Sequence, residues 1–367
     1  MSTTLRAGLI GMGSMGANHA RILSSLPGVT LVGIADPARA DGPTGNSAIS
    51  GGRPSGAQRT PTPPAPVVAG VDELLELGID YAVVASPTST HLPIGLALAS
   101  AGVHALIEKP VAPNPADAQA LFHAFASAGL VGAVGHIERF NSALRAARQR
   151  VMDGELGELY QVTTRRQSPF PARIADVGVI MDLATHDIDI TRWLTGVDYY
   201  SVAALTAHKS GRDHEDLVAC VATLQDGLVA THLVNWLTPV KERVVTITGE
   251  QGSFIIDLLT ADLTYCENGV VDNEWPEMAR FRGVSEGNIT RFAISKPEPL
   301  RAEHEAFRDA VLGQTDAIVT LQDGLHAVLV ATALQKSAVS RETVHVETAA
   351  AANAPARPST ASAEVLA

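Results

Sequence analysis

AGLIGMGSMGANHA, residues 7–20, is the stretch on which the fold turns. A short apolar run ends at Gly11, Gly13 and Gly16 follow in the spacing GxGxxG, and a helical pattern begins at once. Each glycine meets a separate demand. Gly11 permits a tight turn at the end of a strand, Gly13 lets the backbone approach a pyrophosphate, and Gly16 lets the following helix pack close to the strand. The helix start adds unpaired N–H groups and the positive end of a dipole, both suited to an anion. Asp36 stands 20 positions after Gly16, at the end of the next apolar run. A carboxylate there accepts hydrogen bonds from adenosine ribose hydroxyls and repels a 2′-phosphate. The stretch reads as a dinucleotide site formed by Gly11, Met12, Gly13, Ser14, Met15 and Gly16 with Asp36, and it favours NAD over NADP. Arg39, close behind Asp36, is the feature that speaks for NADP.

Around this loop, short apolar runs alternate with helical patterns. Strands are expected at 5–10, 30–35, 81–85, 104–107 and 130–134, and helices at 17–25, 71–77, 92–101 and 115–128. That alternation implies βαβ units and a parallel sheet. Beyond Gly135 long alternating strands take over, at 159–167, 202–208, 217–225, 228–236, 243–249 and 253–258, with helices at 141–152, 183–194, 298–312 and 321–340. Consecutive strands of this kind imply an antiparallel sheet with one face on helices and the other open. The expected fold is an α/β Rossmann dinucleotide-binding domain over residues 1–135. An α+β domain over residues 136–347 follows, with a large, mostly antiparallel open-faced sheet and its last helices packed back on the first domain. Two segments read as unstructured. The insertion 41–66 carries five Gly and six Pro in 26 residues, and the tail 348–367 is Ala, Pro and Ser. Neither holds enough apolar material to offset its ordering entropy.

The 367 residues suffice for two cores. A net charge of −12 without a basic run leaves no footprint for nucleic acid or an anionic membrane. Cys220 and Cys266 form no CxxC spacing, which argues against structural zinc and for a reducing cytoplasm. The apolar stretch near the N-terminus lacks the basic flank of a signal peptide. No run reaches the roughly 18 apolar residues of a spanning helix, so a cytoplasmic location is expected. GxxxxGK[ST] is absent, and no Tyr has Lys four positions later. These absences exclude a P-loop kinase and the Tyr-x-x-x-Lys pair of short-chain dehydrogenases.

ALIEKPVAPNP, residues 105–115, places Glu108 and Lys109 at the carboxyl end of a parallel strand. Ligands bind at that edge, so the Lys109 ammonium faces the nicotinamide end of a dinucleotide rather than open solvent. In VIMDLATHDIDITRWL, residues 179–194, Asp182 and His186 fall four apart and share a helix face. An imidazole with an ordinary pKa near about 6.5 takes a hydroxyl proton while the carbinol carbon gives up hydride. Asp182 then orients the ring or holds its developing charge. The plainer alternative is an acid-rich helix start with His186 as a buried spectator. Asp182, His186, Asp187 and Asp189 could ligate a metal in part, but a helix turns Asp187 and Asp189 to other faces, and no metal is expected.

Taken together, several motifs occur in order along nearly the whole chain. They are GxGxxGxxH from Gly11 to His19, ADP at 35–37, SPTSTH at 86–91, EKP at 108–110, RF at 139–140 and the Asp182/His186 pair. In this the chain resembles the Gfo/Idh/MocA family (glucose–fructose oxidoreductase and inositol dehydrogenase). The resemblance implies an NAD(P)-dependent dehydrogenase of a sugar or cyclitol hydroxyl. It makes Lys109 catalytic at the reacting oxygen, with Asp182 and His186 as partners and His186 as the base. It also implies that Ser86, Thr88, His91 and Glu108 join Lys109 along the cofactor, that Arg139 lies on the substrate side, and that a homodimer or homotetramer forms through the open sheet face. The Gly/Pro-rich 41–66 departs from the helix and strand usual after the ribose acid, and Ser142 stands where members often carry Pro.

VGHIERFNSAL (134–144) and SPFPARIADVGVIMDLATHDIDI (168–190) are similar to the branch that oxidises the 3-hydroxyl of UDP-N-acetylglucosamine. Arg165, Arg166 and Arg173 lie on the strand and loop leading into the catalytic helix. Alternation turns at least one of them toward a substrate diphosphate, which a guanidinium meets bidentately; otherwise they are sheet-face or rim charges. The expected substrate residues are Arg139, Arg165, Arg173 and His186. One alternative is a free sugar or myo-inositol-like cyclitol dehydrogenase. Another is a non-catalytic NAD-binding sensor or regulatory subunit, which has no need of Lys109, Asp182 and His186 together.

Overall fold

The computed structural model describes residues 4–40, 63–170, 177–269 and 285–347. The tail 348–367, most of the 41–66 insertion and Arg173 lie outside the described residues. The first part of the chain alternates strand and helix: β1 (Leu5–Ile10), α1 (Ser14–Leu23), β2 (Val29–Ala35), α2 (Pro37–Ala40), β3 (Val67–Val68), α3 (Val71–Glu76), β4 (Tyr81–Val84), α4 (His91–Ser100), β5 (His104–Glu108), α5 (Pro115–Ala128) and β6 (Gly132–Gly135). The strands pair in parallel in the order β3-β2-β1-β4-β5-β6. Strand order reverses between β1 and β4, and the crevice at that switch point is where ligands of such sheets bind. The strands are buried on both faces, as helices on either side require. α5 starts where its sequence dictates: the Asn114 side chain accepts from Asp117 N–H, Pro115 opens the first turn, and Gly129 takes the left-handed conformation after the last.

One expectation is corrected here. The helix and strand that 41–66 was read as replacing both have counterparts, α2 and a short β3 in which Val67 and Val68 pair with Ile34 and Ala35 on β2. Two valines suffice at a sheet edge, where only one neighbour has to be matched.

A helical turn at Ile137–Phe140 leads from the first sheet to α6 (Ser142–Met152). β7 (Leu159–Pro169), a π-turn at Ile180–Ala184 and α7 (Thr185–Thr195) follow. Then come β8 (Tyr199–Ala207), β9 (Leu217–Leu224), β10 (Val229–Asn235), β11 (Leu237–Gly249), β12 (Gly252–Asp257), β13 (Asp262–Gly269) and β14 (Ser285–Arg291). α8 (Pro299–Val311), α9 (Leu321–Ser340) and β15 (Val344–His345) complete the described elements. Among the described residues the second sheet runs β14-β13-β12-β11-β7-β10-β9-β8-β15, antiparallel except where β10 lies parallel to β7. Its strands alternate cleanly. Val162, Thr164 and Arg166 point inward on β7, while Thr163 and Arg165 point to the other face. On that other face the register aligns Leu205, Ala219, Leu233 and Arg165 in one row, with Ala203, Val221, Thr231 and Thr163 in the next.

α9 ties the two sheets together. It begins with a capping box between Thr320 and Asp323 and is apolar almost all round. Its buried positions, from Leu325 to Leu334, need cover on more than one side, and α9 packs against β8 in one direction and α5 and β6 in the other. α8 lies against α1 and the 137–140 turn. No helix among the described residues is long and apolar enough to cross a membrane.

Candidate active site

The glycine loop has the geometry its spacing demands. Gly11 sits at φ +89°, and a Cβ there would lie 2.7 Å from the Ala85 carbonyl oxygen. A Cβ on Gly16 would lie 2.0 Å from the Gly11 carbonyl oxygen, so only glycine lets α1 close on β1. Gly13 is the opposite case: nothing stands within 4 Å of where its Cβ would be. The loop is packed tightly behind and open in front, the cradle a pyrophosphate needs. Asp36 closes one end, its Oδ2 accepting from Met12 N–H at 2.8 Å and its Oδ1 from Ala38 N–H at 3.0 Å. The residues present therefore fit NAD: Gly11 to Gly16 under the diphosphate and Asp36 at the ribose.

The loop after β4 completes this edge. Ser86 and Thr90 share a hydroxyl hydrogen bond of 2.7 Å, and Thr88 opens a short helical turn. His91 corrects an expectation. It is 1% exposed, and its ring nitrogens face the carbonyls of Ser86, Pro110 and Val111 at 3.1–3.2 Å. It fastens the β4 loop to the β5 loop and has no free nitrogen for a cofactor. Glu108 is likewise turned inward: Oε1 meets His19 Nε2 at 2.9 Å, and Oε2 accepts from Lys109 N–H at 3.1 Å. Burial pushes its carboxyl up, but the His19 hydrogen bond and charge outweigh that and hold it below the usual range.

Lys109 reaches across to the second sheet's helix layer. Its ammonium donates to the Asp182 carbonyl at 2.8 Å and to Asp182 Oδ1 at 2.9 Å. A regular helix was expected at 183–194, yet Asp182 sits in a π-turn. The wider turn presents carbonyl and carboxylate to the same ammonium, and such turns often mark functional sites. Among the described residues Asp182 Oδ2 and His186 Nδ1 have no hydrogen-bond partner. Burial first, and the Lys109 ammonium second, push the His186 imidazole well below its ordinary value. Its Nδ1 is buried without a partner among the described residues, and the Lys109 charge acts on the ring; a neutral imidazole near a fixed ammonium is the pairing that can hold an oxygen and take its proton.

His136 meets His186 edge-on, with ring centroids 5.9 Å apart. Sequence reasoning passed over it, although its place directly after β6, on the carboxyl edge, was the available signal. Glu138 was missed too. It accepts from Arg166 Nη1 at 2.8 Å and Arg243 Nη1 at 3.1 Å, while Arg166 Nε donates to Asp187 at 2.9 Å.

The expected substrate arginines are corrected. Arg139 is buried, its guanidinium forked onto Asp189 with a further contact to Asp323. It cannot serve substrate without stranding the buried Asp189 carboxylate. Arg165 points to the open sheet face and pairs with Glu242 at 2.8 Å, away from Lys109 and His186. Arg173 lies outside the described residues. Asp187 and Asp189, once candidate metal ligands, are the counterions of Arg166 and Arg139.

Comparison with known proteins agrees with this geometry. The family model "Oxidoreductase family, NAD-binding Rossmann fold" matches residues 5–136, and the GFO/IDH/MocA C-terminal domain matches residues 144–255. The chain is 29% identical over 307 residues to a UDP-N-acetylglucosamine 3-dehydrogenase of Acidithiobacillus ferrooxidans, covering 84% of this chain and 88% of that protein. It is 30% identical over 349 residues to the myo-inositol dehydrogenase Hyg17 of Streptomyces leeuwenhoekii, covering 90% and 97%. The solved structure of the A. ferrooxidans enzyme superposes with a TM-score of 0.74 at 26% identity, covering 92% of this chain and 98% of that one.

Asp36 generates a test. Asp36→Asn keeps an acceptor for Met12 N–H and removes the charge that repels a 2′-phosphate. The ratio of NAD to NADP affinity should fall by on the order of tenfold or more, since a like charge facing a phosphate is costly. Binding titrations with both cofactors measure it, and an unchanged ratio contradicts the assignment.

Proposed function

The chain belongs to the GFO/IDH/MocA oxidoreductases, whose first unit is an NAD-binding Rossmann fold, and from that premise we propose that it oxidises the 3-hydroxyl of a nucleotide sugar such as UDP-N-acetylglucosamine. The carrying observation is the Lys109 ammonium held on Asp182 beside the uncommitted His186 imidazole, at the carboxyl edge of the NAD-binding sheet. When bound, NAD supplies the acceptor for the hydride leaving the carbinol carbon. Lys109 donates to the reacting oxygen and favours the alkoxide character that grows there. His186 takes the hydroxyl proton, and the carbinol becomes a ketone. Asp182 keeps the ammonium aimed.

With Arg139 and Arg165 committed elsewhere, Lys241 and Arg243 on β11 are the cations suited to a diphosphate. Arg243 stands opposite Arg166 in the register, on the inward face, and Lys241 is exposed two positions before it on the same strand. Arg243 shares Glu138 with Arg166, and Lys241 has no ion-pair partner among the described residues. Arg243 first, and burial second, hold the Lys241 ammonium below its ordinary value, which marks unneutralised positive charge. The relative that acts on UDP-N-acetylglucosamine supports this reading. The second reading, a cyclitol dehydrogenase, is favoured by the relative named for myo-inositol, which aligns over nearly its whole length. Both cysteines are free thiols, which supports work in a reducing cytoplasm.

Three tests follow from these assignments. Lys109→Ala and His186→Ala should lower kcat by about 10²–10⁴-fold while NAD still binds, and Asp182→Asn should lose less. The double variant should lose less than the product of the singles, because both act on one proton transfer. The base must be neutral to work, and its folded pKa is depressed, so activity is full at neutral pH. The acid limb of kcat/KM should then fall below about 6.5. Single variants that keep most of kcat would make the trio structural, and a limb at the ordinary imidazole value would mean that burial does not depress the His186 pKa.

The substrate reading is tested by following reduced cofactor with UDP-N-acetylglucosamine, UDP-glucose and myo-inositol. UDP-N-acetylglucosamine should have the highest kcat/KM, and Arg243→Gln should raise KM for both nucleotide sugars but not for myo-inositol. A preference for myo-inositol installs the cyclitol reading, and no turnover with any of them favours the sensor.

The open sheet face, with Leu205 66% and Val221 54% exposed, is proposed as the surface through which a homodimer or homotetramer forms. Exposed apolar rows of this extent mark contact surfaces. Sedimentation should find wild type as an oligomer and the Leu205→Arg/Val221→Asp variant as a folded monomer. A monomeric wild type contradicts the proposal.

A further inference from the structure

We propose that the cavity between α6, α7 and the segment 316–323 is a second ligand site, which takes a phosphorylated small molecule through Arg145 and Arg148. The cavity has a volume of about 480 Å³, inside the usual range for small-molecule pockets. Arg139, Arg145, Arg148, Arg192 and Trp193 line it. It lies at the far end of the helix that carries the catalytic pair: from His186 to Trp193, α7 rises by about 10 Å.

The charges around this cavity are unequally matched. Arg139 is satisfied by Asp189 and Asp323, and Arg192 by Asp198 and Asp323. Arg145 and Arg148 have no carboxylate partner among the described residues. Instead they lie over aromatic rings, Arg145 6.0 Å from the Phe140 centroid and Arg148 4.6 Å from that of Trp193. Arg148 Nη1 is buried and has no acceptor. An exposed Asp316 on the rim is the remaining carboxylate, and it makes no ion pair with either arginine. Burial first, and then the neighbouring Arg139, push the Arg148 guanidinium below its ordinary value, as expected where positive charge outweighs negative.

Three positions apart on α6, Arg145 and Arg148 are neighbours on one helix face. Stacking on Phe140 and Trp193 limits their motion and leaves the donor edges available. Two guanidinium forks side by side match the oxygens of a phosphate ester or diphosphate better than a single carboxylate. The cavity is larger than one phosphate needs, so the ligand carries an organic part as well.

Inorganic pyrophosphate serves as the probe. It is titrated by calorimetry into the full-length protein saturated with NAD, so that the glycine loop is filled. Saturable binding is expected, with a parallel change in tryptophan fluorescence as Arg148 shifts on Trp193. Arg145→Gln/Arg148→Gln should weaken binding by about tenfold or more while NAD affinity stays unchanged. Trp193→Phe should remove the fluorescence change and keep the calorimetric one. Because Arg145 is exposed, Arg145→Gln alone preserves the fold if the double variant does not, and it should weaken binding by about threefold or more. No saturable heat with wild type, or equal affinity in the Arg145→Gln protein, overturns the proposal. Turnover is not measured, so its failure leaves the dehydrogenase reading untouched.

Discussion

Helix α7 is held by two buried arginine–carboxylate pairs, Arg166 on Asp187 and Arg139 on Asp189. Removing one member of such a pair strands a charge in a poor solvent and costs about 3–5 kcal/mol. Both arginines come from elements that enter the site from elsewhere, Arg166 from β7 and Arg139 from the turn after β6. The helix is thereby fixed in rotation and height against both sheets at once. Its first turn, a π-turn, then presents Asp182 to Lys109 from the opposite sheet. The Lys109–Asp182 bond is the visible chemistry, and the two buried pairs are what make its geometry reproducible.

The parts of this arrangement legible in the sequence are those imposed by local backbone demands. At Gly11 and Gly16 any side chain would strike a carbonyl, so the residue choice was forced. The cap of α5 and the box opening α9 are likewise local, and both helices begin where the pattern put them. The βαβ order and the open, mostly antiparallel sheet followed from apolar periodicity. The resemblance carried by the ordered motifs supplied the expected roles of Lys109, Asp182 and His186; the structure joins Lys109 to Asp182, and the Lys109 charge acts on His186.

What escaped was decided by partners distant in the chain. Adjacent arginines on a strand must face opposite ways, but parity alone does not say which faces in. That depends on Glu138 and Asp187 waiting under Arg166, neither of them near it in sequence. Arg139 was placed on the substrate side by the resemblance. Its role as the clamp of Asp189 appears only when the 137–140 turn and α7 are packed. The short strand Val67–Val68, β13 and the edge strands β14 and β15 carry too little periodicity to stand out. The π-turn has no sequence signature, and its Asp182 carbonyl takes a bond from Lys109, distant in the chain.

The central claim is that Lys109, Asp182 and His186 surround a carbinol whose hydrogen leaves for the nicotinamide. The most direct test is label transfer. UDP-N-acetylglucosamine deuterated at carbon 3 is incubated with the protein and NAD, and the reduced cofactor is examined by mass spectrometry. The account predicts deuterium in the reduced nicotinamide with wild type, formed about 10²–10⁴-fold more slowly by Lys109→Ala although that variant still binds NAD. Unlabelled reduced cofactor, or label arriving only from another carbon of the sugar, would contradict it.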